Sequence, residues 1–312
     1  MEEHLARCYA DTDFFFTWQV SPSVIFGRNQ VIEQEVNLGY CRQHDINVYR
    51  RKSGGGCVYA DRSNVMLSMV MSGQQVGLGY NRFITLLLLA LRRMGLNVAA
   101  TGRNDLVAAP QGHDAATEGR KVSGTAFYQL PGRSIIHSTL LYDTCMQHMV
   151  ASITPDDQKL VAKGIRSVRQ RIALLKDLTP LPLTDIVQQL RQTLCTGTFT
   201  PGPEDMAQAE RLEREYLSPS FIYGRHSSPT LTRRRHLPGV GTVEAHITMQ
   251  GDTIGHVRLL GDFFLTGDLN LLTQPLSGLP LQHDALMQAL PADASTVVRG
   301  LSTSALADLL CG

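Results

Sequence analysis

The apolar positions of the chain fall into two regimes. In the first, short runs rich in β-branched and aromatic residues, Phe14 to Trp18 and Ser23 to Phe26, are separated by Ser21-Pro22, and each has the length and content of a strand. Val48-Tyr49-Arg50 extends this pattern and Val65 to Met71 resumes it, so the glycine-rich stretch between them lies in a strand–loop–strand context. Arg82 to Met94 is apolar on most faces, carries Arg92 and Arg93 near its end and is followed by Gly95. That predicts a largely buried helix whose terminal cations match its dipole. Ile186, Val187, Leu190 and Leu194 share one helical face, for which Thr184 is a suitable cap, and Pro203 opens a charged amphipathic helix over Glu204 to Leu217.

The second regime is strict alternation. Val243, Ala245, Ile247 and Met249 alternate with polar residues, Gln250-Gly251-Asp252 supplies a turn, and Val257 with Leu259 resumes the alternation. A hairpin of this kind, packed against helices around Leu286 to Leu290 and Leu306 to Leu310, makes a small α+β unit. Between Gly224 and Pro238 the composition shifts to Ser, Pro, Arg and His, which predicts a linker at the entrance of that unit. The expectation is an α/β (α+β) chain, with a catalytic domain over residues 1–225 and an accessory domain over 226–312.

Composition changes this picture little. A chain of 312 residues with 43% hydrophobic and 18% charged residues buries an ordinary core, and its length favours one large domain plus a small one. A formal net charge of +1 gives no overall electrostatic case for nucleic acid. The local cluster Arg233-Arg234-Arg235 reads equally as a solvated strand end and as a docking patch. Six scattered cysteines show no CxxC and no Cys/His zinc spacing, and read as reduced thiols. The acidic Met1-Glu2-Glu3-His4 lacks the order of a signal peptide, and the greasy stretch from Phe83 to Leu91 is too short to span a bilayer. A cytoplasmic protein without membrane or nucleic-acid partners is expected.

The candidate chemistry lies in Arg50-Arg51-Lys52-Ser53-Gly54-Gly55-Gly56-Cys57-Val58-Tyr59, three consecutive cations joined to a triple glycine. Glycines let the backbone approach a ligand closely so that N–H groups converge on phosphate oxygens, while Arg and Lys neutralise charge. Neither GxxxxGK[ST] nor GxGxxG is present, so by residues alone this is either a generic anion loop or a glycine-rich hairpin or bulge. Downstream come Gly102-Arg103-Asn104-Asp105-Leu106-Val107, then Arg120-Lys121-Val122-Ser123-Gly124-Thr125-Ala126, then His137-Ser138-Thr139-Leu140-Leu141.

These blocks, in this order, resemble the lipoate–protein ligase A family. The segment from Lys159 through Lys163-Gly164 to Arg169 looks like a further family motif, and Gly261-Asp262-Phe263-Phe264 is similar to its small accessory domain. The resemblance implies a mixed-sheet lipoate/biotin ligase-like catalytic domain that activates lipoate with ATP and Mg2+. It implies transfer to apo lipoyl domains, those of E2 subunits and the glycine cleavage H protein. It places Arg51, Gly56, Cys57, Val58 and Tyr59 on ATP, and Arg50, Ser53, Gly54 and Gly55 on the lipoyl group or in shaping the loop. Lys121 matches the lysine that contacts both the lipoate carboxyl and the α-phosphate. By their own chemistry Asp105 and Asn104 suit a magnesium or ribose-side role, since Mg2+ takes a carboxylate oxygen together with phosphate oxygens, and Asp105 equally suits a cap on the turn before Lys121.

Departures from the family pattern are local. Ile136 and Ser138 flank His137 where two histidines and a glycine are usual, so His137 itself reads as a satisfied structural histidine; Ala60 and Ser63 replace a frequent histidine and glycine. The acidic pair Glu2-Glu3 resembles that of the family's first helix, which implies that a preceding strand is absent. Two alternatives stay open: an ATP-independent octanoyl or lipoyl transferase working through a cysteine thioester, and a non-catalytic lipoyl-domain binder. The GRGR loop of biotin ligases is absent.

Overall fold

The computed structural model describes residues 1–73, 76–101, 104–108, 119–153, 171–224 and 229–312. Two compact units emerge: one comprises Met1–Ile25, Glu35–Tyr49 and Cys57–Ser218, the other Phe26–Gln34, Arg50–Gly56 and Pro219–Gly312.

The first unit is built on a six-stranded sheet from β1 (Phe14–Trp18), β5 (Val65–Ser72), β6 (Val98–Ala100), β7 (Asp105–Ala108), β8 (Lys121–Leu130) and β9 (Arg133–Leu140), in the order β1-β5-β9-β8-β7-β6. Every ladder in it is antiparallel. Strands β2 (Ser23–Phe26), β3 (Asn47–Arg50) and β4 (Val58–Ala60) form a second sheet in the order β3-β2-β4. The period-two alternation sends neighbouring β9 residues to opposite faces. Ile135 joins Leu5, Ala6, Phe14, Val70 and Tyr128 in a cluster under helix α1 (Glu2–Cys8). On the other face, Gly79 of helix α2 (Val76–Arg93) comes so close to Ser134 and Ile136 that an added Cβ would be in van der Waals contact with both.

The apolar pattern starts α2 at Arg82, but the helix begins six residues earlier, at Val76. Gly77 and Gly79 lower helix propensity, and tertiary contact overrides that preference. Helix Leu183–Leu194 buries Ile186 and Leu190 as its pattern requires, but its cap is Pro182, not Thr184; the Thr184 hydroxyl, inside the first turn, donates to Asp185. Helix Pro203–Tyr216 is tied to α1 by Asp205, which accepts from Tyr9 Oη at 2.8 Å and pairs with His4 Nε2 at 2.8 Å.

The second unit holds the antiparallel sheet β10 (Leu231–Leu237), β11 (Gly241–Gln250) and β12 (Thr253–Gly261). Val243, Ala245, Ile247, Val257 and Leu259 form one core with Leu272, Leu286, Leu290, Leu306, Leu309 and Leu310, so the alternation and the leucine-bearing helices are where the sequence put them. The expected linker is corrected. Residues 225–228 lie outside the described residues, but 231–237 are an edge strand paired with β11, and Arg233 to Arg235 stand inside it. An edge strand needs ladder bonds on one side only and tolerates a run of charges, which hides it from a search for apolar alternation.

Candidate active site

The residues singled out from sequence fall into two groups, one within each unit. In the second, Arg50 is internal. Its guanidinium donates to the carbonyls of Ile222 (2.9 Å), Gly27 (3.4 Å), Arg28 (2.7 Å) and Gln30 (2.9 Å), and lies 4.4 Å from the centroid of the Phe26 ring. These contacts make Arg50 an internal tie between residues 27–30 and Ile222. Arg51 wraps the loop from inside: Nε donates to Ser53 Oγ at 3.0 Å, and Nη2 to the carbonyls of Gly54 and Gly56, both at 2.7 Å. The loop is pinned at Ser53, whose carbonyl accepts from the Arg28 N–H at 2.9 Å.

In the first unit, Cys57 leads into β4, where Val58 and Tyr59 pair with Ile25 and Val24. Burial, helped by the neighbouring Asp61, pushes the Tyr59 phenol well above its ordinary range. Lys121 opens β8 after a register shift between Leu106 and Val107 of the neighbouring strand. Its carbonyl accepts from Ala173 N at 2.8 Å, and its ammonium reaches Asp105 Oδ1 at 2.8 Å. The amine lies over Gly124: a Cβ there would come within 2.7 Å of Nζ and 2.8 Å of Cε. Gly124 is therefore what lets the cation lie across its own strand, beside the carboxylate of Asp105. Asn104 is spent locally, its amide donating to Thr125 O at 3.1 Å. Gly102, Arg103 and the Lys159 to Arg169 segment lie outside the described residues.

Register places more on this face than sequence reading found. Asp105 is opposite Gly124, Gly124 opposite Thr139, Ala126 opposite His137 and His137 opposite Ser68, so all share the face that α1 covers at one end. There Trp18 Nε1 donates to Ser68 Oγ (2.8 Å), Ser68 donates to the Glu2 carboxylate (2.5 Å), and His137 Nδ1 lies 3.2 Å from the same group. His137 is thus the satisfied histidine expected. The partners come from α1, β1, β5 and β9, a convergence with no signature in sequence spacing.

Burial acts to raise the Glu2 pKa, but the His137 charge and the hydrogen bonds from His137 and Ser68 outweigh it and leave the group below its ordinary value. A carboxylate depressed in the folded state stabilises the fold above its unfolded pKa, about 4.3, and loses that contribution as pH falls through the folded value. The melting temperature should therefore fall more steeply below about pH 4.3 for the wild type than for Glu2→Gln. Parallel slopes in thermal melts of the two proteins would contradict this account of the network.

Among the described residues no group of three or more His, Cys, Asp or Glu is placed to hold a metal ion. A cation bound by one carboxylate and phosphate oxygens needs no such group, and Asp105 has the chemistry for it. Among the described residues no helix is long and apolar enough to cross a membrane.

The class follows from comparison with known proteins. Residues 1–195 match the family model described as the lipoyl protein ligase A/B catalytic domain, and residues 228–310 match that of the bacterial lipoate protein ligase C-terminus. The chain belongs to the lipoyl protein ligase family, and it is a ligase. Lipoate-protein ligase LplJ of Bacillus subtilis is 28% identical over 282 residues, covering 86% of this chain and 82% of that one. The lipoate–protein ligase of Streptococcus pyogenes is 29% identical, covering 97% and 91%.

Solved structures agree on the fold. LipL1 of P. falciparum in complex with lipoate matches at TM-score 0.73 and 17% identity over 99% of this chain and 93% of its own. The bipartite lipoate protein ligase of Thermoplasma acidophilum, described with its E2 lipoyl domain, gives TM-score 0.65 and 24% identity over 74% and 92%. A lipoate-protein ligase A bound with ATP gives 0.58 and 22% over 72% and 91%.

Proposed function

We propose that this ligase activates lipoate with ATP to lipoyl-AMP and passes the lipoyl group to a specific lysine of apo lipoyl domains, those of E2 subunits and the glycine cleavage H protein. The observation that carries this reading is Lys121, an ammonium seated over Gly124 and beside Asp105 on an otherwise tightly packed sheet. In the first step a lipoate carboxylate oxygen attacks the α-phosphorus and pyrophosphate leaves. In the second the acceptor amine attacks the acyl carbon, AMP leaves and the amine loses a proton. Negative charge grows on oxygen in both steps, and a fixed cation favours the transition state over the ground state.

Arg51 with Gly56, Cys57, Val58 and Tyr59 is the proposed ATP site: loop N–H groups and a guanidinium suit phosphates, and the backbone entering β4 suits adenine. Arg50, Ser53, Gly54 and Gly55 shape the loop or touch the lipoyl group, with Ser53 and Gly54 held by the Arg51 guanidinium. Asp105 would hold the Mg2+ that accompanies ATP and neutralises phosphate charge. Residues 226–312 would serve as the accessory domain to a catalytic domain ending near 225. Support comes from the relatives named as lipoate-protein ligases and from neighbours solved with ATP, with lipoate and with an E2 lipoyl domain. A cytoplasmic location fits six free thiols.

The thioester alternative needs an activated thiolate. Burial instead pushes the Cys41 thiol up to about 11 and raises those of Cys195 and Cys311. The test is to incubate the protein with ATP, Mg2+, lipoate and an apo lipoyl domain, and weigh the acceptor. One added lipoyl group, dependent on ATP and surviving Cys57→Ala, is expected. Transfer from an acylated carrier without ATP, abolished by replacing one cysteine, would put the acyltransferase in its place.

A further inference from the structure

The triple glycine has the composition of a place where the backbone meets a ligand, yet two of its three members are met by the protein. A Cβ on Gly54 would come within 2.3 Å of the Phe263 carbonyl oxygen, and one on Gly55 within 2.9 Å of the Phe264 ring. The Gly55 N–H, presented by a backbone with φ +85°, donates to that same Phe263 oxygen at 3.2 Å. A Cβ on Gly56 would meet nothing within 4 Å. Beside them the Arg51 guanidinium is turned inward onto the carbonyls of Gly54 and Gly56. A loop N–H and a guanidinium suited to phosphate are thus both paired with carbonyl oxygens of the chain itself.

The segment supplying the internal acceptor is held from two sides. Gly261 N donates to Asn29 O at 2.8 Å and Asp262 N to Thr242 O at 3.2 Å, while Phe264 O accepts from Arg299 N at 3.0 Å. Phe263 is fully buried and Phe264 is 3% exposed.

We propose that the Phe263–Phe264 segment is an internal occupant of the phosphate loop: the Phe263 carbonyl oxygen stands where a phosphate oxygen of a nucleoside triphosphate binds, and Phe264 is the positioning residue that sets how readily the segment leaves. The proposal rests on the reading of this loop as the ATP site. The chemistry is an exchange of acceptors, a neutral carbonyl for a phosphate oxygen whose charge makes the stronger hydrogen bond. Because the nucleotide binds only the released loop, its apparent affinity is reduced by the fraction of molecules in which the segment is withdrawn. The contact also gives the accessory part of the chain a direct means of sensing whether the loop holds nucleotide.

Hydrogen exchange on the full wild-type chain, with and without Mg-ATP and without lipoate, reads the release itself. The amides of Gly261 and Asp262 should exchange faster when ATP is bound; unchanged or slower exchange under conditions where calorimetry shows ATP bound overturns the proposal and leaves the ATP site standing. In parallel, Phe264→Leu and Phe264→Ala, shown folded by thermal melts, should bind Mg-ATP roughly two- to tenfold more tightly than wild type, the range expected for weakening one competing hydrogen bond. Equal or weaker binding in a folded variant also overturns it. Absence of ATP binding by the wild type would remove the phosphate loop and this inference together.

Discussion

Lys121→Ala is expected to slow pyrophosphate release from ATP and lipoate by roughly 10²- to 10³-fold, the cost of losing one preorganised charge at a developing oxyanion. The side chain is one-third exposed, so the substitution should leave the fold intact. Transfer from ready-made lipoyl-AMP to an apo lipoyl domain should fall as well, because the acyl oxygen and the leaving phosphate both carry charge in that step. Lys121→Arg separates charge from placement: it keeps a cation, but the broad guanidinium cannot lie over Gly124 as the amine does. It should recover only part of the loss. Near-wild-type rates for Lys121→Ala in both half-reactions would move the catalytic charge elsewhere.

Arg50→Ala is expected to act on stability. The side chain is 9% exposed and feeds four main-chain carbonyls drawn from two separate stretches of chain. Removing it strands acceptors that no water replaces without opening the packing, at a cost of about 3–4 kcal/mol. Arg50→Lys keeps the charge but offers donors from a single nitrogen, and should restore less than half. Urea unfolding followed by circular dichroism measures both. A loss under 1 kcal/mol for Arg50→Ala, with ATP binding reduced, would make the residue a ligand group instead of a strut.

Both adjacent arginines were candidates on sequence, and nothing in the RRK run says which one reaches carbonyls outside its own loop. That is decided by the carbonyls of residues 27, 28, 30 and 222, which hydrogen-bond to Arg50 because burial leaves them no water. The glycines divide in the same way. Their lack of side chains advertises close approach, but whether the approaching oxygen belongs to a phosphate or to Phe263 is not a local property.

The chain by itself determined the strands Phe14–Trp18 and Ser23–Phe26, the alternating hairpin of the second unit, and the leucine faces that close its core. These follow from periodicity and propensity, which act between residues close in sequence. Lys121 and Gly124 were legible only as part of a family motif: a three-residue spacing along a regular strand sends side chains to opposite faces, and the amine comes to lie over Gly124 beside a register shift in the neighbouring strand. Only the tertiary structure decided that Asp105 would be the partner of that amine, that Trp18, Ser68, Glu2 and His137 would meet on one face, and that residues 231–237 would be a strand and not a linker. Each depends on the register of antiparallel strands far apart in the chain, and register is set by the burial of whole sheet faces, a quantity no short window of sequence contains.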